Sequence, residues 1–279
     1  LIGFRERYAP FVTDMHQCDI LGIPINSMID SLSELVSSLS LRSKTPQIEV
    51  SIAENKVELI FRILESPTND DIDILKRFSK ENNLRIALQS GGPSTIQLLD
   101  TGSEEQALNY RHDDHDIMLE FISSDFIQIN SEVNKLMVSK TIELLCINKS
   151  DTVTDLFCGI GNFSLPLSRY AKNVIGVELQ EDFIKRAKCN AKLNNINNVE
   201  FFTGDLFKSD NNWSNLKCNK LLLDPARSGA LEVVSNIELF NAKKIVYVSC
   251  HPGTLARDTD ILVNEKKYTL DTAGIIDMF

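Results

Sequence analysis

Asp155-Leu156-Phe157-Cys158-Gly159-Ile160-Gly161-Asn162-Phe163 is the stretch that decides the fold. It closes a strand-like run at 152–157 and opens a helical one at 163–170. Gly159 and Gly161 let the backbone turn sharply there and let a ligand come close to a helix N-terminus. Outward from this turn, strand-like runs at 173–178, 199–203, 220–223 and 243–249 alternate with helical periods at 132–147, 181–194 and 231–240. Short connections and near-continuous apolar strands predict a doubly wound parallel sheet, an α/β, Rossmann-like domain.

Ligands of such sheets bind at the carboxyl ends of the strands. Glu178 ends the second strand, 19 residues after Gly159, where a carboxylate can accept hydrogen bonds from both hydroxyls of a ribose. Asp205 follows the third strand, within reach of an adenine edge, and Asp224 ends the fourth. The third glycine of the dinucleotide fingerprint is absent, which argues against a pyrophosphate. A nucleoside cofactor without pyrophosphate, surrounded by acids, points to the sulfonium cation S-adenosylmethionine.

Residues 1–122 follow a different grammar and read as a smaller α+β domain ahead of the catalytic one at 123–279. A helical period spans 24–41, a hairpin pattern 47–52 and 57–64, a helix 70–82, and two further strands 84–89 and 96–100. His112-Asp113-Asp114-His115-Asp116 lies between strand-like runs at 107–111 and 117–121. Consecutive residues on one short turn rarely converge on an ion, so a polar hairpin tip is the reading preferred to a metal site.

Apolar residues at 43% and charged ones at 24% are the balance of a globular chain. No apolar run is long enough to span a bilayer, and charges at Arg5, Glu6 and Arg7 interrupt any leader pattern. The six cysteines show no CxxC, which fits reduced thiols in a cytoplasm. The net charge of −10 is uneven: residues 1–122 hold 11 basic and 20 acidic side chains, residues 123–279 hold 18 and 19. An acidic chain grips polyanions poorly, so a nucleic-acid substrate would need a local basic groove or further protein.

Asp224-Pro225-Ala226-Arg227-Ser228-Gly229 follows the fourth strand, and Ser249-Cys250-His251-Pro252-Gly253-Thr254-Leu255-Ala256-Arg257-Asp258 follows the fifth. Cys250 stands where a buried strand meets a helix started by proline, so the helix dipole should favour its thiolate. Cys146, Cys189 and Cys218 read instead as small buried apolar side chains.

These three segments, with Phe126-Ile127-Gln128-Ile129-Asn130, resemble the RNA uridine C5-methyltransferases. The form Asp-Pro-Ala-Arg is similar to the branch that modifies 23S ribosomal RNA. The resemblance implies S-adenosylmethionine held by Gln128, Phe157, Asn162, Glu178, Asp205 and Asp224. It also implies a nucleophilic Cys250 that adds to C6 of a flipped or single-stranded uracil so that C5 can accept a methyl group. A tRNA-directed homologue, or a non-catalytic RNA-binding module that keeps the fold, are the alternatives. His251 stands where the family usually has Asn. Cys18 matches the fourth ligand of a 4Fe-4S cluster in the ribosomal branch, and one thiol cannot hold a cluster. The family's general base, a glutamate beyond an Asp-Met-Phe-like segment, is expected to be missing from a chain truncated at Phe279.

Overall fold

Apolar residues at helical spacing bury one face of each early helix, and alternating strands supply the floor beneath them. The computed structural model describes residues 1–9, 11–100, 107–208, 213 and 216–278. They form two units: Leu1–Asn109 with Ile122–Ser124, and Tyr110–Phe121 with Asp125–Phe279.

In the first unit the period expected at 24–41 becomes α1 (Ile23–Asn26) and α2 (Ile29–Ser38), followed by a 3₁₀ turn. Strands β1 (Gln47–Ile52) and β2 (Val57–Arg62) form the expected antiparallel hairpin, Gln47 facing Arg62. Helix α3 (Asn69–Glu81) returns the chain so that β3 (Arg85–Gln89) pairs parallel to β2, and β4 (Ile96–Leu98) pairs antiparallel to β3. A capping box starts α3: the Thr68 hydroxyl accepts from the Asp71 N–H while the Asp71 carboxylate accepts from the Thr68 N–H. Asn82 ends the helix and Asn83 takes the left-handed conformation after it. Ile25, Leu32, Leu35, Leu59, Phe61, Leu75 and Ile86 make the core of this unit.

The second unit opens with the ribbon β5 (Leu108–His112) and β6 (Ile117–Phe121), then α4 (Ser131–Leu145). There follow β7 (Thr152–Leu156), α5 (Ser164–Ser168), β8 (Asn173–Glu178), α6 (Glu181–Leu193), β9 (Val199–Thr203), β10 (Lys220–Leu223), α7 (Leu231–Ser235), β11 (Lys244–Tyr247) and α8 (Pro252–Asp260). The sheet runs β11-β10-β7-β8-β9 and every pairing in it is parallel. Both faces are covered: Leu221 and Leu223 enter one core with Val177, Val233 and Phe240, while Leu222 enters the other with Val138, Val153 and Leu167. This is the doubly wound α/β fold expected from the alternation, and β7 lies at its switch point.

The division of the chain differs from a boundary at 122, because the ribbon at 110–121 packs with the second unit. Asn190 on α6 and Asn194, its C-cap, offer β6 the hydrogen bonds of a neighbouring strand. Asn190 Oδ1 accepts from Glu120 N at 2.9 Å and its Nδ2 donates to Glu120 O at 3.0 Å. Asn194 does the same for Met118, at 2.8 and 2.6 Å. The His-Asp-Asp-His-Asp run is the ribbon's turn, yet His112 and His115 are buried. Among the described residues no group of three or more His, Cys, Asp or Glu could hold a metal ion, and no helix is long and apolar enough to cross a membrane. Phe279, where truncation was expected, lies outside the described residues.

Candidate active site

The turn after β7 is shaped by three consecutive left-handed positions at alternating residues, of which sequence alone foresaw the two glycines. Phe157 has φ +69°, Gly159 +53° and Gly161 +97°. The Phe157 and Cys158 N–H groups both donate to Val177 O, at 2.9 and 3.1 Å, which ties the turn to β8. A Cβ on Gly159 would meet open space, so this part of the loop presents bare backbone at the sheet edge. The half-buried Phe157 ring lies 5.7 Å from that of the exposed Phe207.

Glu178 braces the same turn. Its Oε2 accepts from Gly159 N at 3.3 Å, and its Oε1 from Leu179 N and Gln180 N at 2.8 and 3.2 Å. Beside it Asp155, fully buried at the end of β7, accepts from the Ser164 hydroxyl at 2.5 Å through one oxygen. Its other oxygen has no partner among the described residues. Burial, with the neighbouring charges of Asp224 and Glu178, pushes the Asp155 carboxyl up to about 7. Burial alone pushes Asp224 up to about 7. A reluctantly ionised carboxyl pair with one oxygen of Asp155 unsatisfied, beside an open glycine turn, suits a cationic ligand. Asp155 was not among the residues expected at the site; an acid near the end of the strand before a Gly-x-Gly was the available signal.

Asn162, half-buried, makes four side-chain hydrogen bonds within the second unit. Its Oδ1 accepts from Tyr110 Oη at 3.0 Å, Asn134 Nδ2 at 2.9 Å and His112 Nε2 at 3.0 Å, and its own Nδ2 donates to Asn134 Oδ1 at 3.0 Å. The amide therefore fastens the glycine turn to α4 and the ribbon. Burial pushes His112 down to about 4, so it is neutral and donates through Nε2. Asp205 is also engaged, accepting from Phe207 N at 3.0 Å and from Lys208 Nζ at 2.8 Å; the Lys208 ammonium holds its carboxyl below the usual range. Gln128, half-buried in the segment before α4, keeps its side chain free of hydrogen bonds within the described chain.

At β11 the chain delivers Cys250 to the surface of the same edge. His251 caps α8: its Nδ1 accepts from Thr254 N at 3.2 Å, the bond an Asn side chain would accept there. Helix α8 is clamped to the loop that carries Asp224. The Thr254 hydroxyl donates to Arg227 O at 3.1 Å, Arg257 Nη2 to Ser228 O at 3.0 Å, and Ala230 N to the buried Asp258 at 2.7 Å. Burial pushes the Cys158 thiol well up, which removes it as a nucleophile. Two other cysteines correct the sequence reading. Cys146 and Cys189 are exposed, the first in a left-handed cap after α4 and the second on the outer face of α6; of the three cysteines expected to be buried apolar side chains, Cys218 is buried. Cys18, in the first unit, donates its N–H to Asn26 Oδ1 at 2.6 Å.

A doubly wound parallel sheet with acids at the ends of β7, β8 and β10 and a cysteine after β11 is an α/β fold of the methyltransferase type. A family model described as tRNA (Uracil-5-)-methyltransferase matches residues 11–279, and the chain belongs to that family. It is 46% identical over 284 aligned positions to the 23S rRNA (uracil(1939)-C(5))-methyltransferase RlmD of Francisella tularensis subsp. novicida, covering all of this chain and 63% of the relative. The enzyme of the same name from Legionella pneumophila (strain Lens) is 43% identical, with 64% of it covered. The chain thus spans a little under two thirds of the curated relatives it matches. Among solved structures, the Pyrococcus abyssi tRNA (uracil-54, C5)-methyltransferase, crystallised with S-adenosyl-L-homocysteine, superposes with a TM-score of 0.75 at 22% identity, over 99% of this chain and 69% of that one.

Proposed function

We propose that this chain carries the catalytic unit of an S-adenosylmethionine-dependent enzyme that methylates C5 of a uridine in 23S ribosomal RNA, in the cytoplasm. The observation that supports it is the convergence of Asp155, Glu178, Asp224 and Cys250 on the carboxyl edge of one parallel sheet. The names of the 43–46% identical relatives supply the substrate.

Glu178 would hold the ribose, Phe157 and Phe207 the base, and Asp155 and Asp224 the cationic end, with Gln128 and Asp205 completing the pocket. Asn162 keeps the turn in place. S-adenosylmethionine, when bound, supplies an electrophilic methyl group. Uracil C5 is too weak a nucleophile alone, so the Cys250 thiolate adds to C6 and pushes an electron pair toward C5, forming an enolate. That pair becomes the bond from C5 to the methyl carbon as the methyl's bond to sulfur breaks and the neutral thioether leaves; a base then takes the C5 proton, and the C–H pair re-forms the C5–C6 double bond and expels the thiolate, leaving 5-methyluridine and free Cys250. The target base must leave its stack to meet Cys250. Cys18 would supply one of the four thiolates of a 4Fe-4S cluster.

RNA substituted with 5-fluorouridine tests this, because fluorine at C5 blocks the final elimination. The full chain with S-adenosylmethionine should gain the mass of the RNA, and Cys250→Ser should not. A wild-type chain that binds this RNA without forming an adduct overturns the covalent mechanism.

A further inference from the structure

We propose that the first unit carries a phosphate-binding groove for the substrate RNA, formed by Lys56, Lys76, Arg77 and Lys80. This rests on the reading of the chain as an RNA-modifying enzyme and names where its acidic half grips the strand. A cavity of about 480 Å³ lies beside the C-terminal half of α3, and among the described residues these four cations line it with Asn83 and the carboxylate Asp100. Residues 1–122 contain only 11 cations against 20 acids, so four in one cavity is a concentration against the local composition.

Folding does not require this cluster. Lys76 and Lys80 stand one turn apart on α3 with Arg77 beside them, and like charges at that spacing repel. The helix dipole accounts for a cation such as Lys80 in the last turn. It does not account for Lys56, which enters from the start of the β2 hairpin and donates to Asn83 Oδ1 at 2.5 Å. Asp73, one turn before Arg77, could have neutralised it, yet none of the four cations forms an ion pair among the described residues. Lys76, Arg77 and Lys80 are exposed, with Leu84 buried beneath them. Cations left unneutralised on a concave surface suit a ligand with repeated negative charge, and a ribose-phosphate backbone supplies it.

The test is the salt dependence of binding to a labelled RNA hairpin, read by fluorescence anisotropy with the full chain. Replacing Lys76, Arg77 and Lys80 together by Gln should weaken binding about tenfold or more and flatten the slope of log K against log salt by about one per lost phosphate contact. Lys56→Gln should act in the same direction. Lys140→Gln with Lys185→Gln removes two cations that are paired to acids on their own helices, and should leave the slope alone. An unchanged slope in the triple variant overturns the groove, as it would if these cations met an acidic protein surface instead. Adduct formation with 5-fluorouridine RNA at saturation separates the two readings. A wild-type adduct with no slope change removes the groove and keeps the enzyme. A flattened slope without any adduct keeps the groove and removes the enzyme.

Discussion

The Tyr247 hydroxyl donates to Asp258 Oδ2 at 2.7 Å, joining the last residue of β11 to the second turn of α8. Asp258 is fully buried, and the same oxygen accepts from Ala230 N while Oδ1 accepts from the Arg257 guanidinium. One carboxylate therefore locks the two segments between which Asp224 and Cys250 are held.

Breaking that lock should cost stability and adduct formation together. Tyr247→Phe removes one donor to a buried charge, worth about 1.5–3 kcal/mol. Asp258→Ala leaves the Tyr247, Ala230 and Arg257 donors unpaired, and a loss of about 3–5 kcal/mol is expected. Gly229→Ala attacks the joint from outside: at φ +77° its Cβ would stand 2.7 Å from Arg257 Nη2 and 2.7 Å from Asp258 Oδ2. Urea unfolding ranks the three, and wild-type stability in Tyr247→Phe would show that the hydroxyl is not part of the lock.

His251 gives a sharper separation, because it is beside the nucleophile yet serves the helix. As the cap of α8 it needs only a side-chain acceptor for Thr254 N. His251→Asn should keep stability and the rate of adduct formation on Cys250 near wild type. His251→Ala should lose about 0.5–2 kcal/mol. Denaturation of both variants checks this, and equal loss in both would mean that the imidazole does something that a cap does not.

Glu178 has two duties that one substitution removes. It accepts three backbone N–H bonds, and it is also expected to accept ribose hydroxyls. Glu178→Ala should weaken S-adenosylmethionine binding by about 1–3 kcal/mol, the cost of buried hydroxyls left unpaired. Unchanged affinity by calorimetry would remove Glu178 from the pocket.

The strand-and-helix alternation of the second unit was legible because parallel strands buried on both faces read as apolar runs, as in Leu221-Leu222-Leu223. Cys250, Glu178 and Asp224 were legible as strand-end residues. What escaped were partnerships across long separations. Nothing local tells that Asn190 and Asn194 will pair with β6, so the ribbon was assigned to the wrong side of the boundary. Nor does spacing tell that Asn162 will spend its amide on Tyr110, His112 and Asn134, or that Lys208 will pair with Asp205. Phe157 hid its left-handed backbone because only glycine announces that conformation in sequence.

The paired acids at the ligand edge predict a pH dependence whose sign is fixed by burial. Asp155 and Asp224 both lie near 7 in the folded chain, far above the ordinary carboxyl value of about 3.9. As the pH rises from about 4 to about 7 the unfolded chain has already lost these protons while the folded chain still binds them, so these two groups make stability fall over that window. Cation binding runs the other way, because a sulfonium is attracted only to the ionised pair. Affinity for S-adenosylmethionine should therefore rise from about pH 6 to about pH 8 and level off above it, with net proton release on binding near neutrality. Asp155→Asn should flatten both slopes, since one of the two titrating acids is gone. Calorimetry in two buffers of different ionisation enthalpy measures the released protons directly. Binding that is independent of pH, with no proton release, would place the cationic end of the ligand away from Asp155 and Asp224.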